Sequence, residues 1–183
     1  MTPARAATDD ADFRAAVQGL RNGDFSRLEP LFVDAPNSAD ARSRIVRWHG
    51  EGRFRDEPEA LAEALTCACF LGHISVVEYL LDQGVDLAAG MGTGLNAFHW
   101  AANRGQLAVV RLLLGRGAAM ETRNMYGGTV LGTAVWSAVH EPRPDHARII
   151  ETLLLAGARV EAAEYPTGLA EIDGLLRRHG VSA

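Results

Sequence analysis

The sequence predicts an all-helical array built from repeated helix pairs. Two observations carry that reading. Gly72 and Gly105, Gly84 and Gly117, and Asn96 and Thr129 are each 33 residues apart, so three unrelated landmarks share one internal period. Between these landmarks, apolar residues recur at helical spacing, as in Val109, Val110, Leu113 and Leu114, and a glycine follows soon after the last of them. The 183 residues are 48% hydrophobic, which is enough to bury a sizeable core.

Taken in order, residues 1–9 are expected to be disordered and residues 10–183 to form a single domain. Asp10 to Leu20 reads as a helix, because Phe13, Val17 and Leu20 fall on one stripe. Asn22-Gly23-Asp24 ends it. Phe25 to Phe32 reads as a short second helix, which Pro30 shortens or kinks. Gly23 and Gly72 are 49 residues apart, sixteen more than the period, so an insertion at 34–56 follows. Within it, Ser38 to His49 reads as an extra helix, capped by Ser38 and stopped by Gly50. Ala41, Ile45 and Trp48 fall on one side of it and Arg42, Arg44 and Arg47 over the rest. These residues fit a basic, aromatic contact arm for an acidic partner or phosphate. They fit better a helix that packs Ile45 and Trp48 and solvates its arginines, since Glu51, Asp56, Glu57 and Glu59 offset much of the charge.

Three helix pairs then follow. Pro58 to Leu71 is paired with Ser75 to Gln83, Asn96 to Arg104 with Leu107 to Arg116, and Thr129 to Val139 with Asp145 to Ala156. Gly84 closes the first pair, at a position that favours the left-handed conformation. The third pair is longer by seven residues around 138–145, where Pro142 and Pro144 make a stiff, non-helical loop. Leu169 to Arg178 reads as a last helix that exposes Arg177 and Arg178. Leu80, Leu81, Val109, Val110, Leu113, Leu114, Ile149, Ile150, Leu153 and Leu154 are the expected core.

The stretch Asn96-Ala97-Phe98-His99-Trp100-Ala101, with Gly105 and Gly117-Ala118 after it, resembles the ankyrin repeat, whose signature is Thr-Pro-Leu-His-x-Ala. His99 and Ala101 match that signature; Asn96, Ala97 and Phe98 depart from it with residues of similar size or polarity. The resemblance implies an all-α solenoid of stacked helix-turn-helix units with β-turn tips. Three full repeats (57–90, 91–123 and 124–163, the last with the inserted loop 138–145) would lie between an N-terminal cap at 10–33 and a C-terminal cap at 164–183. It implies that His99 bonds to backbone in the inter-repeat turn. Thr66 and Gly132 take its place in the neighbouring repeats, where the joints should be less regular. It further implies a non-enzymatic protein–protein interaction module that holds its partner in a concave groove. Counting along the repeat register places Arg21, Phe70, Asn103 and Trp136 on one ladder, with Arg104 beside it and Tyr126 at a turn tip. Two aromatics beside arginine and asparagine have the composition of a binding hot spot. Phe70 and Trp136 could equally cover core edges. The alternative function is a small-molecule site or enzyme, with a pocket walled by Phe70, Trp100, Tyr126 and Trp136.

Other classes of function are disfavoured. The net charge of −5 is a poor match for nucleic acid, which needs a basic face. Cys67 and Cys69 stand at i,i+2 on one helix, diverge, and suit a reducing compartment. The N-terminal stretch lacks an apolar signal core, and no apolar run is long enough to span a bilayer. A cytoplasmic monomer without cofactor or metal is therefore expected. The basic residues are all arginine, a composition of the kind seen in bacterial chains. Gly90 to Gly94 superficially resembles a phosphate loop, but the segment falls at a repeat turn instead of between a strand and a helix. His140, Glu141, Asp145 and His146 fit no metal-ligand spacing and are expected to form a solvated loop.

Overall fold

The computed structural model describes residues 3–34 and 42–180, with side chains from residue 7 onward. Its described elements are helices and turns. The chain divides between Thr93 and Gly94 into two units, which are taken in turn.

In the first unit, α1 (Pro3–Arg21) is followed by α2 (Phe25–Leu28) and a single 3-10 turn (Glu29–Leu31). Pro30 sits at the start of that turn, where its missing N–H costs nothing, and so ends α2 early. Next come α3 (Arg44–Gly50), α4 (Pro58–Leu71) and α5 (Ile74–Asp82). Helix α4 packs against α1, α2 and α5, and α3 packs against α5. The sequence of α4 explains its central place. Ala60, Ala62, Ala64, Cys67, Ala68 and Cys69 are small and buried, so neighbouring helices approach closely. Burial pushes both thiols well above the usual range, which makes them inert core residues.

Residues 3–9 were expected to be disordered but form the first turns of α1; residues 1 and 2 lie outside the described residues. Asp9 shows why the helix extends back. Its carboxylate accepts hydrogen bonds from Arg47 (2.7 Å), Arg53 (2.7 Å), Arg44 (3.3 Å) and the Trp48 indole (3.1 Å). The insertion helix also begins later than its sequence suggests. Ser43, not Ser38, caps it, accepting from the Val46 amide at 3.4 Å; Ser38 and Ala41 lie outside the described residues. Ile45 and Trp48 are fully buried, and Trp48 meets the Phe13 ring edge-on at 5.4 Å. Arg42 is exposed as expected, but Arg44 and Arg47 are half-buried. Arg44, Arg47 and Arg53 are spent on Asp9, Asp10 and Asp12, and the Arg44 guanidinium also lies 4.6 Å over the Trp48 ring.

In the second unit, α6 (Ala97–Asn103) pairs with α7 (Leu107–Gly115), and α8 (Val130–His140) with α9 (His146–Leu155); a 3-10 turn (Val160–Ala162) leads to α10 (Ala170–Arg178). Helix α6 packs on α7 and α8, α9 on α7 and α8, and α10 on α9. The 33-residue period is visible in the caps. Asn96 accepts from the Phe98 and His99 amides at 3.0 Å each, and Thr129 accepts from the Gly132 amide at 3.2 Å. The two caps have nearly the same backbone angles, φ −77 and ψ 176 against φ −76 and ψ 176. Leu80, Val109, Val110, Leu113, Ile149, Ile150, Leu153 and Leu154 are buried as expected, while Leu81 and Leu114 are half-buried at helix edges.

Two predictions follow from this packing. Leu113 is fully buried on α7, so Leu113→Ala should cost about 2–5 kcal/mol in a denaturant melt, by cavity formation. A loss under about 1 kcal/mol would mean that the residue does not face the core. The Arg47 guanidinium holds the Asp9 carboxyl down to about 2, helped by Trp48 and Arg53 and opposed by burial. The native state therefore prefers the carboxylate, and its contribution is fully present above the ordinary value of 3.8 and lost as pH falls toward 2. Asp9→Asn should cost at most about 2 kcal/mol at neutral pH, less whatever solvent screening removes, and should flatten the acid limb of a melting-temperature profile between pH 4 and 2. Identical limbs in both proteins would show the network to be energetically idle.

Candidate interaction surface

The residues picked out by register fall into different environments. In the first unit, Arg21 is exposed at the end of α1 and forms a 2.6 Å ion pair with Glu57. Phe70, near the end of α4, is half-buried and meets Phe25 edge-on at 5.6 Å. The ring thus covers part of the seam between α2 and α4.

In the second unit, Asn103 is 6% exposed. Its amide donates to the Ser137 hydroxyl at 2.8 Å and so ties α6 to α8. Ser137 in turn donates to the Thr133 carbonyl. Asn103 thus belongs to the packing between two helices, although counting along the register placed it on the open ladder. Trp136 lies one residue before Ser137 and therefore points away from that seam. It is 46% exposed; Val139 and His140 at the end of the same helix are exposed too, whereas Val130, Leu131 and Val135 are buried. Its ring stacks on His140, one turn along, with centroids 4.6 Å apart and planes 18° apart. The His140 Nδ1–H donates back to the Trp136 carbonyl at 2.8 Å. The two rings form a stacked pair, one lying over the other.

Arg104, the cap residue of α6, is half-buried, with its guanidinium 3.9 Å from Glu141, the residue after His140. Arg143 follows two residues later, and its Cβ lies so close to Gly105 that an added methyl there would meet it at 2.8 Å. Gly105 is also at φ +74, a second reason for glycine at this crossing. Burial lowers the affinity of Arg104 for its proton, and the like charge of Arg143 adds to that effect.

Tyr126 and Met125 are 78% and 66% exposed at a turn tip. Asn124 builds that turn: its side-chain Oδ1 accepts from the Tyr126 amide at 2.9 Å and the Gly128 amide at 3.0 Å. The Met125 amide donates to the Gly94 carbonyl at 2.9 Å.

Beneath this surface lies His99, fully buried, with Nδ1 2.7 Å from the Asn96 side-chain oxygen and Nε2 3.2 Å from the Gly128 carbonyl. Both facing atoms are acceptors, burial disfavours the charged ring, and a neutral imidazole carries a single N–H, so His99 donates to one of them while lying between the helix start and the turn. His146, expected in a solvated loop, is in fact buried. It accepts from the Arg143 amide at Nδ1 (3.1 Å) and donates from Nε2 to the Asn103 carbonyl (3.0 Å). Nothing in the spacing of the HEPRPDH segment marked that role, because its partner is 43 residues away.

No group of three metal-ligating side chains forms among the described residues, and no described helix is long and apolar enough to cross a membrane. A cavity of about 240 Å³ opens between α9 and α10, lined by Arg148, Glu151, Glu171 and Arg178 among others. It is smaller than the ~300–1,000 Å³ usual for small-molecule sites, and Trp100, Tyr126 and Trp136 do not line it.

Comparison with known proteins agrees with this architecture. A family profile described as "Ankyrin repeats (3 copies)" matches residues 65–164, more than half of the chain. The chain is 38% identical over 90 residues to "Probable E3 ubiquitin-protein ligase XBOS33" of Oryza sativa subsp. japonica, covering 46% of this chain and 16% of that protein. It is 36% identical over 98 residues to "Ankyrin repeat and KH domain-containing protein mask" of Drosophila melanogaster, covering 54% of this chain and 2% of that one. The chain thus spans a small part of these relatives' length. A crystal structure of an ankyrin repeat domain from Acinetobacter baumannii AYE superposes with a TM-score of 0.61 at 21% identity, covering 91% of this chain and 97% of that one.

The His146 contacts make a pH dependence predictable. With Nδ1 accepting from an amide, the ring is held neutral. Burial lowers its proton affinity, the carbonyls of Asn103 and Ala102 pull the other way, and Arg143 reinforces the lowering. The unfolded chain therefore binds the proton more readily than the native one, and stability is lost as pH falls below the ordinary value of 6.5. Melting temperature should drop from pH 7 to 5, and His146→Gln should make that drop shallower. Parallel profiles for wild type and variant would rule out a neutral, locked imidazole.

Proposed function

The chain belongs to the ankyrin repeat family, and we propose that it acts as a non-enzymatic protein-interaction module. Its contact face in the second unit is formed by Trp136, Arg104 and Tyr126. Arg21 and the half-buried Phe70 are the contacts that the first unit offers. Repeats of this family generally serve as protein-binding modules, and the fold alone does not name a partner.

The observation that carries the reading is Trp136. A large aromatic side chain left 46% exposed contributes little to the core, yet stacking on His140 holds it in one orientation. An aromatic ring fixed before binding loses little conformational entropy on contact, and tryptophan and arginine are the residues most enriched at interface hot spots. Asn103 supports this face from beneath by fixing α6 against α8.

The test pairs a melt with a titration. Peptide ligands are selected on the wild-type chain from a random displayed library and then titrated individually. Trp136→Ala should leave the melting temperature nearly unchanged and weaken binding by about 2 kcal/mol or more. If Trp136→Ala destabilises the fold while affinity per folded molecule stays the same, Trp136 is a packing residue and the contact face lies elsewhere.

A further inference from the structure

One buried acid in the first unit lacks the partners that a charged group needs. Glu63 is 6% exposed, in the interior of α4. Its Oε1 accepts from the Gly92 amide at 2.6 Å, while Oε2 is buried with no hydrogen-bond partner. A carboxylate offers about four acceptor sites, and here a single donor meets them. The turn at 90–93 lies close against it. A methyl added at Gly92 would meet Oε1 at 2.8 Å, and one at Gly90 would meet the Ala62 carbonyl at 2.8 Å and overlap the Thr66 hydroxyl. That hydroxyl has one proton to share between the Gly90 and Ala62 carbonyls, 3.2 Å from each. The short bond from Gly92 to Glu63 is therefore the stronger of these two ties between turn and helix.

Few titratable groups surround the acid. On α4 its neighbours are Glu59, exposed one turn before it, and Cys67, a buried thiol that stays neutral one turn after. Helix α1 brings Arg21, whose carbonyl would lie 3.9 Å from a methyl on Gly92 and whose guanidinium is paired with Glu57 at 2.6 Å. Helices α2 and α5 give Glu63 no ion pair or hydrogen bond among the described residues. An ionised carboxylate is costly in such a place, because one oxygen has neither water nor a donor, and the neutral acid costs less. We infer that Glu63 makes the turn at 90–93 a proton-controlled latch: the neutral acid lets the turn close on α4, and the carboxylate, drawn to water, releases it. The latch stands apart from the contact face on α8 and shapes the backbone beside Arg21. Burial raises the proton affinity of Glu63, and the Gly92 amide pulls the other way. Closure is therefore fully favoured below the ordinary value of 4.5 and is lost as pH rises through the raised midpoint.

The experiment is NMR on the full, isotopically labelled chain from about pH 4 to 7. The Glu63 carboxyl carbon should titrate above 4.5. Protection of the Gly92 amide, corrected for the intrinsic pH dependence of exchange, should fall about fivefold or more across that titration. Val77, buried in α5, should keep its protection. Glu63→Gln keeps the acceptor and carries no charge, so its Gly92 amide should be as protected at pH 7 as that of wild type at low pH. Thr66→Val should loosen the turn at every pH and retain the fall linked to Glu63. A Glu63 midpoint at or below 4.5, a Gly92 protection that is level across it, or the same fall in Glu63→Gln would overturn the inference. So would an equal loss at Val77, because the acid would then act on the whole unit instead of the turn. The wild-type titration and exchange decide the question even where a variant fails to fold.

Discussion

The second unit depends on one buried relay. Asn96 caps α6 with its side-chain oxygen, the same oxygen faces His99 Nδ1, and His99 Nε2 faces the Gly128 carbonyl in the turn that precedes α8. Three things follow from it. The helix start is set, because two amides that would otherwise lack partners are bonded to Asn96. The turn is set at a distance of one imidazole from the helix. Finally, the turn tip with Tyr126 and Met125 faces outward, because Asn124 and Gly94 hold the backbone on either side of it.

The same register position is solved differently where the histidine is missing, and the differences are steric. Thr66 is shorter, and its hydroxyl lies 3.2 Å from the Gly90 carbonyl, so the turn comes closer. Gly132 has no side chain, and the Ala162 carbonyl moves in so far that a methyl at Gly132 would meet it at 2.7 Å. Closer approach substitutes for side-chain reach. The cap position varies too. Asn96 and Thr129 are caps, but the residue 33 before Asn96 is Glu63, in the interior of α4, because Pro58 starts that helix earlier. Glu63 is left buried, accepting from the Gly92 amide at 2.6 Å, and burial raises its proton affinity.

Much of the fold was legible because it is periodic. Glycine spacing, caps and apolar stripes are local, and each of them marks a helix end or face within a few residues. What was not legible depends on pairing at long range. Asp9 is one carboxylate in a polar stretch until Arg44, Arg47 and Arg53 fold onto it from 35 to 44 residues away. The burial of His146 depends on a carbonyl in α6. The ladder of contact residues was legible only in part, because register specifies a position along a helix and leaves open which neighbour the side chain meets. Asn103 turned inward to Ser137, Phe70 leaned on Phe25, and Trp136 was left outside.

The relay from Asn96 through His99 to Gly128 is tested most directly by amide hydrogen exchange, read residue by residue in wild type and Asn96→Ala. The expected result is a selective loss of protection at Asn124, Met125 and Gly127, whose amides hold the turn, with Val110 in the interior of α7 still protected. The cap itself should be worth only about 1 kcal/mol, so the fold survives to be measured. Unchanged exchange in the turn, or an equal loss at Val110 and Met125, would contradict a relay that positions the turn.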